Sequence, residues 1–383
     1  MLSMLQRVKV QQQSARVSES RHSDRLLVIS TLILVALGVL MVYSTTGVSS
    51  GQLSGDSTAF LRRHCLHALL GLLLMFGVSA IDPYFLRRAS APLFLFSLGL
   101  LALVLIPGVG EEAGGARRWI SLGFITFQPS EIAKLALILF LSAYIGHNHQ
   151  RMMLFVPGTL VPFSIVLAVS GLLILEPDFG TTVFVCLASF LLMFTVARMG
   201  HLVGIGVVAL WGLFSLILIS PYRFRRFEAF LDPLGDPKNS GYQLVQSLIA
   251  VGSGGILGEG LGAGRQKLFY LPEAHTDFIF AVIAEELGLI GASLVALLFV
   301  LIAVRGIAIA RRLSTDRFLS SLALGATLLI VLPALLNMFV VLGMLPTKGM
   351  VLPLISYGGS ALLMNLATIG VLIRLSRLES VKC

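Results

Sequence analysis

The sequence predicts an all-α, polytopic integral membrane protein of about ten transmembrane helices, with one large loop outside the membrane. Three observations carry that prediction. First, 56% of the 383 residues are hydrophobic and only 12% are charged, and the mean hydropathy is +0.93. Soluble domains carry roughly 25% charged residues. Second, the apolar residues come in blocks long enough to cross a bilayer as helices, not in the short alternating segments of a β-barrel. Third, 38 glycines and 14 prolines accompany this apolar composition, as expected of closely packed or broken membrane helices. A soluble globular enzyme, a disordered scaffold and a single-anchor protein are excluded.

The elements follow in chain order. Residues 1–25 are rich in Gln and Ser and read as a disordered cytoplasmic tail. They do not read as a cleavable leader, because the first apolar run begins only after 25 polar residues and nine more runs follow. A membrane domain covers 26–375, with apolar runs near 26–46, 63–80, 90–107, 130–146, 156–175, 180–197, 202–220, 278–304, 318–345 and 351–373. The 156–197 stretch is too long for one helix and divides into two spans at Glu176-Pro177-Asp178-Phe179-Gly180. The run from Phe278 to Arg312 exceeds the bilayer, so it should tilt or project beyond it. Pro353 and Gly358-Gly359 should break or kink the tenth span. Residues 376–383 read as a second cytoplasmic tail.

Orientation follows from the basic residues. With both termini in the cytoplasm, the inner segments hold 16 Lys and Arg and the short outer loops hold five, the bias expected of a membrane protein. The long 221–277 loop is then extracytoplasmic. The formal net charge of +9 is assigned to loops beside anionic lipid, not to nucleic-acid binding. Cys65, Cys186 and Cys383 lie far apart with no CxxC pair, so neither a zinc site nor a disulfide framework is expected.

Ionisable residues in or beside spans are costly and mark functional positions. On this orientation they collect toward the outside. Residues 115–123 read GARRWISLG and 127–134 read FQPSEIAK. Pro129 suits a first helical turn. Glu131 and Lys134, three apart, share a helix face, either as a pair that locks two helices or as site residues. The 221–277 loop follows a basic-aromatic cluster, SPYRFRRF at 220–227, with a glycine-rich run at 252–264 and then Arg265 and Lys267. No GK[ST] follows the glycines, so no nucleotide site is expected; the run either admits close ligand approach or is simply flexible. The loop ends LPEAHTDFIF at 271–280. Thr276 is placed as a helix N-cap and Asp277 in the first turn, where the helix dipole and nearby cations should keep the carboxylate ionised. His275 is either a proton carrier or a polar contact, and the deeper Glu285 and Glu286 need partners. Lys348 lies in LPTKG at 345–349, and Ser356 in LPLISYGGS at 352–360.

Together these motifs resemble the SEDS family of bacterial cell-wall polymerases, whose members are FtsW, RodA and SpoVE, over about residues 25–375. The PTKG at 346–349 is most similar to the FtsW branch. The resemblance implies a peptidoglycan glycosyltransferase that polymerises lipid II on the outer face of the inner membrane at the division septum. It implies an FtsI-type class B penicillin-binding protein transpeptidase and other divisome membrane proteins as partners. It places the family's catalytic aspartate at Asp277 and its membrane-embedded polar pair at Glu131 and Lys134.

The residue chemistry agrees. A sugar hydroxyl is a poor nucleophile and needs a carboxylate base within hydrogen-bond reach. A diphosphate leaving group needs cations or a divalent metal. Arg117, Arg118, Lys134, Arg223, Arg265, Lys267 and Lys348 fall nominally on the side of Asp277, and with Glu131, His275 and Ser356 they are the candidate lipid II and diphosphate contacts. Asp277 or Glu131 would supply oxygen ligands to Mg²⁺ or Mn²⁺, although no motif demands a metal or any other cofactor. A lipid II flippase or other transporter is the alternative. It requires a polar path reaching both leaflets, whereas the ionisable residues gather toward one. A recruiting scaffold leaves Asp277, Glu131 and Lys134 without a chemical purpose.

Overall fold

The computed structural model describes residues 17–19, 23–54, 58–113, 116–121, 126–239, 241–267 and 270–380. The tail expectation for 1–16, the glycine ends of the GARRWISLG motif and residues 381–383 lie outside the described residues. Strand β1 (Val17–Glu19) leads to helices α1 (Arg25–Ser54), α2 (Ala59–Ser79) and α3 (Pro83–Val104). A small antiparallel sheet follows, in the order β2 (Gly110–Ala113), β3 (Ala116–Ser121), β4 (Thr126–Phe127). Next come α4 (Pro129–Asn148), α5 (Val161–Leu175), α6 (Phe179–Met193) and α7 (Met199–Ile219). Two shorter helices, α8 (Pro221–Leu231) and α9 (Tyr242–Ser253), precede α10 (Ile279–Arg312), α11 (Arg317–Val341), α12 (Gly359–Ser376) and strand β5 (Leu378–Ser380).

Among the described residues, nine helices are long and apolar enough to cross a membrane, and α6 is a shorter apolar tenth. The predicted all-α membrane architecture is the one observed. Local chemistry explains the helix starts. Asp82, Asp178 and Asp316 each accept hydrogen bonds from the free N–H groups of α3, α6 and α11. Pro129 occupies the first turn of α4, where its missing N–H costs nothing. Within the spans, Ser30, Thr31 and Ser142 donate to the carbonyl four residues earlier, so these hydroxyls do not face hydrocarbon unpaired. One apolar cluster joins α1, α2, α10, α11 and α12, and a second joins α3 to α7 with one face of α11. In α7 only Leu202 is buried, which leaves this helix the most open to lipid.

Three expectations are corrected. The stretch 17–19 is not free tail: β1 pairs antiparallel with β5, Val17 opposite Ser380. The tenth span, expected over 351–373, is shorter: it is broken as Pro353 and Gly358-Gly359 led us to expect, with residues 351–358 non-helical and α12 beginning only at Gly359. Helices α8 and α9 fall within the 221–277 loop. Finally, α10 is not a single rod. Gly288 has φ 65° and ψ −164° inside it, breaking the helix.

The glycine-rich run explains that break. Beyond Gly288, the N–H groups of Leu289 and Ile290 donate to the carbonyls of Gly255 and Ile256. In return, the N–H groups of Glu259 and Gly260 donate to the carbonyls of Glu285 and Glu286. A Cβ on Gly258 would lie 2.2 Å from the Glu286 carbonyl oxygen, a distance no side chain tolerates. These glycines serve backbone-to-backbone packing.

Candidate active site

Successive spans alternate in direction, so α2, α4, α6, α10 and α12 all begin at the same end of the bundle. Their starts enclose a cavity of about 410 Å³. Asp277, Arg118, Glu131, Lys134 and His275 all line it. Five sequence-predicted residues, distant in the chain, thus share one chamber.

The α4 wall carries the polar pair. Lys134 Nζ donates to Glu131 Oε1 at 2.7 Å, with the Glu131 side chain 7% exposed. Lys134 also sits 5.5 Å from the centre of the Phe184 ring. Both groups face protein and cavity rather than lipid, as their cost in hydrocarbon requires. From β3, the Arg118 guanidinium donates to the carbonyls of Glu176 and Pro177, which holds it over the turn between α5 and α6. In that turn Glu176 is fully buried with both carboxylate oxygens unpartnered. Burial first, and the neighbouring Asp178 second, push its pKa up to about 8. It is mostly uncharged at pH 7, and Arg118 also acts on the carboxyl of Asp277. Asp178 itself lines the cavity while its side chain accepts from the N–H and hydroxyl of Thr181.

Asp277 lies on the segment entering α10. Thr276 is not the N-cap; that position is Phe278, and the Thr276 hydroxyl donates to Glu273 Oε2 at 2.8 Å. Asp277 therefore precedes the helix instead of lying in its first turn, and the dipole does not hold it fully ionised. Although half-buried at the cavity face, its carboxyl is closely surrounded by protein. Desolvation, reinforced by the negative charge of Glu273, pushes its pKa up to about 7 against the opposing pull of Arg226 and Arg118. The backbone around it is pinned. Asn337 Nδ2 donates to the Asp277 carbonyl at 2.7 Å and to the Met350 carbonyl at 2.6 Å, while the Ser356 hydroxyl donates to the Thr276 carbonyl at 2.6 Å. Ser356 thus holds the carboxylate-bearing segment and does not itself line the cavity. His275 does line it, with burial lowering its pKa, so it is neutral at pH 7.

The other candidates sit elsewhere. Lys267 pairs with Glu286 at 2.6 Å and donates to the Ser44 hydroxyl at 2.9 Å. The backbone N–H of Arg265 donates to Glu285 at 2.7 Å. These contacts supply the partners that Glu285 and Glu286 needed, away from Asp277. Arg117 makes an exposed contact with Glu112 at 3.6 Å. Arg223 lies 5.0 Å from the Phe179 ring centre and donates to the Leu216 carbonyl. Lys348 stands behind the wall near Asp178, and burial pushes its pKa down to about 8. Among the described residues, no three His, Cys, Asp or Glu side chains converge as a metal would require. Asp277 and Glu131, the expected oxygen ligands for Mg²⁺ or Mn²⁺, both line the cavity but belong to no such cluster.

Comparison with known proteins decides the lineage. The FtsW/RodA/SpoVE family model, described as "Cell cycle protein", matches residues 24–381. The chain belongs to the FtsW/RodA/SpoVE family. A Geobacter (strain M18) protein named "Probable peptidoglycan glycosyltransferase FtsW" is 41% identical over 92% of this chain and 96% of its own length. "Stage V sporulation protein E" of Bacillus subtilis (strain 168) is 42% identical over 92% of this chain and 97% of its own. A chain from a solved peptidoglycan synthase complex, in which polymerization and crosslinking are structurally coordinated, superposes with a TM-score of 0.74 at 36% identity. That match covers 93% of this chain and 98% of the other.

Sequence reasoning missed several cavity residues in this SEDS-family chain, among them Asp178, Glu273 and His67. Asp178 read as part of a polar turn. Its position at the start of a span running in the same direction as α4 and α10 was the available signal. His67 and Glu273 carried no signal beyond polarity.

Proposed function

We propose that this chain is a peptidoglycan glycosyltransferase that polymerises lipid II, with Asp277 as the general base. One observation carries the reading: a single chamber at one end of the helices joins a carboxyl poised near pH 7 to Arg118 and Lys134. A base with a pKa near the working pH combines adequate ionisation with real proton affinity. In the proposed step, the acceptor sugar hydroxyl attacks the anomeric carbon of the donor as its proton passes to Asp277. The anomeric C–O bond to phosphate breaks, and the diphosphate leaves with the electron pair. Arg118 and Lys134 stabilise its charge by charge-assisted hydrogen bonds.

The 16-to-5 bias of basic residues supports termini in the cytoplasm and a chamber at the outer face of the inner membrane. The PTKG motif supports a septal role in cell division. The solved relative belongs to a synthase complex that coordinates polymerization with crosslinking, and this supports a class B penicillin-binding protein as the partner. The flippase alternative gains nothing, because the polar lining gathers at helix starts on one side. The test is polymerisation of purified lipid II by the purified chain, with and without its transpeptidase partner. Glycan strands in either condition, abolished by Asp277→Asn, support the reading; transbilayer movement of lipid II without strand formation refutes it.

A further inference from the structure

The cavity lining places its Lys and Arg side chains on one side. From β3 and α4 come Arg118 and Lys134, with Glu131 and, at the start of α6, Asp178. From α2, α12 and the segments entering α10 and α12 come His67, His275, Tyr357 and Asn365, together with the carboxyl groups of Glu273 and Asp277. Asp277 belongs to the second group by chain position, two residues beyond His275.

The second wall is built, not incidental. Tyr357 and His275 have ring centroids 5.9 Å apart, and Phe60 packs edge-on against both, at 5.2 Å and 5.9 Å. The backbone N–H of Tyr357 donates to the His275 carbonyl at 3.0 Å. This ties the rings to the strand of chain that carries Asp277. Gly359 allows α12 to start directly against His67, since a Cβ there would lie 2.6 Å from the imidazole Nε2.

Resting on the glycosyltransferase reading, we propose that His67, His275 and Tyr357 form the acceptor-saccharide subsite. Three arguments support it. Sugar rings present C–H faces, and aromatic rings attract C–H groups to their electron-rich faces. Their hydroxyls both donate and accept hydrogen bonds, and imidazole, phenol and amide groups do likewise, whereas Lys and Arg only donate. The diphosphate is drawn to Arg118 and Lys134 across the chamber, which leaves the wall without Lys or Arg for the sugar whose hydroxyl must reach Asp277.

The experiment uses two probes against the purified full-length chain: a soluble methyl glycoside of the disaccharide-pentapeptide, and undecaprenyl diphosphate. The dissociation constant of each is measured by direct titration calorimetry, and strand formation from lipid II is scored separately. Tyr357→Leu and His67→Ala should weaken the saccharide probe about fivefold or more, the scale of one lost hydrogen bond or ring contact. Undecaprenyl diphosphate should be unaffected. Tyr357→Phe and His67→Gln should recover most of the saccharide affinity, because the ring or the hydrogen-bonding group is kept. Arg118→Gln should show the reverse pattern. Unchanged saccharide affinity in both disruptive variants overturns the subsite, and so does equal weakening of both probes, which would mean general collapse of the chamber. Wild type that inserts lipid II into strands while these variants bind normally sinks the subsite alone. Wild type that forms no strands but binds the saccharide through His67 and Tyr357 sinks the polymerase reading and leaves the subsite standing.

Discussion

If Asp277 is the general base, the rate must follow its ionisation. With a pKa of about 7, set by burial and by Glu273, the carboxyl is ionised in about a tenth of molecules at pH 6 and about nine-tenths at pH 8. Only the ionised form accepts the hydroxyl proton, so kcat/KM should rise about tenfold between those values and level off above pH 8. Two neighbours adjust the midpoint in opposite directions. Glu273→Gln removes a negative charge and should move the rise to lower pH. Arg226→Gln removes a positive one and should move it higher. Asp277→Asn keeps the size of the side chain and the backbone contacts with Asn337, yet cannot take the proton. It should cost about 10²–10⁴-fold in rate. The assay is strand formation from labelled lipid II between pH 5.5 and 8.5, at matched protein levels, with folding checked by thermal melting. A flat profile across pH 6–8, or a folded Asn variant polymerising at near wild-type rate, would refute the assignment.

Three further outcomes follow. Lys348, lowered to about 8 by burial behind the chamber wall, costs stability while it is charged, so the melting temperature should rise between about pH 8 and pH 10, and Lys348→Met should flatten that rise. Lys134→Ala strands a buried Glu131 carboxylate, which typically costs about 3–5 kcal/mol; melting in detergent should show the loss, and pairing the change with Glu131→Ala should return part of it. A cysteine at the exposed Lys238, in a background without native cysteines, should react with an impermeant maleimide on intact spheroplasts, and labelling only after lysis would reverse the orientation.

The spans were legible because length and hydropathy alone decide what crosses a bilayer, and Glu131 with Lys134 because a three-residue spacing on a helix is a local fact. Asp277 was legible as a position but not as an acid. Its ionisation depends on desolvation and on groups such as Arg118, 159 residues earlier, that no local pattern brings near. Arg265 and Lys267 were drawn toward Asp277 by chain proximity alone, while their true partners, Glu285 and Glu286, lie about 20 residues further on, across the segment that carries it. The glycines of 254–264 and the intramembrane pair Glu285-Glu286 are each ambiguous alone: one reads as a flexible loop, the other as charge without a partner. In contact they explain each other, because the break at Gly288 exposes backbone groups that only a glycine-rich chain can approach and satisfy. The consequence reaches the site. The piece of α10 next to Asp277 runs only from Ile279 to the Gly288 break, with Ser356 and Asn337 holding its entry and the glycine-rich run holding its exit. The carboxylate is therefore carried on a short helix fixed at both ends, which suits a base that must meet a hydroxyl within hydrogen-bond reach.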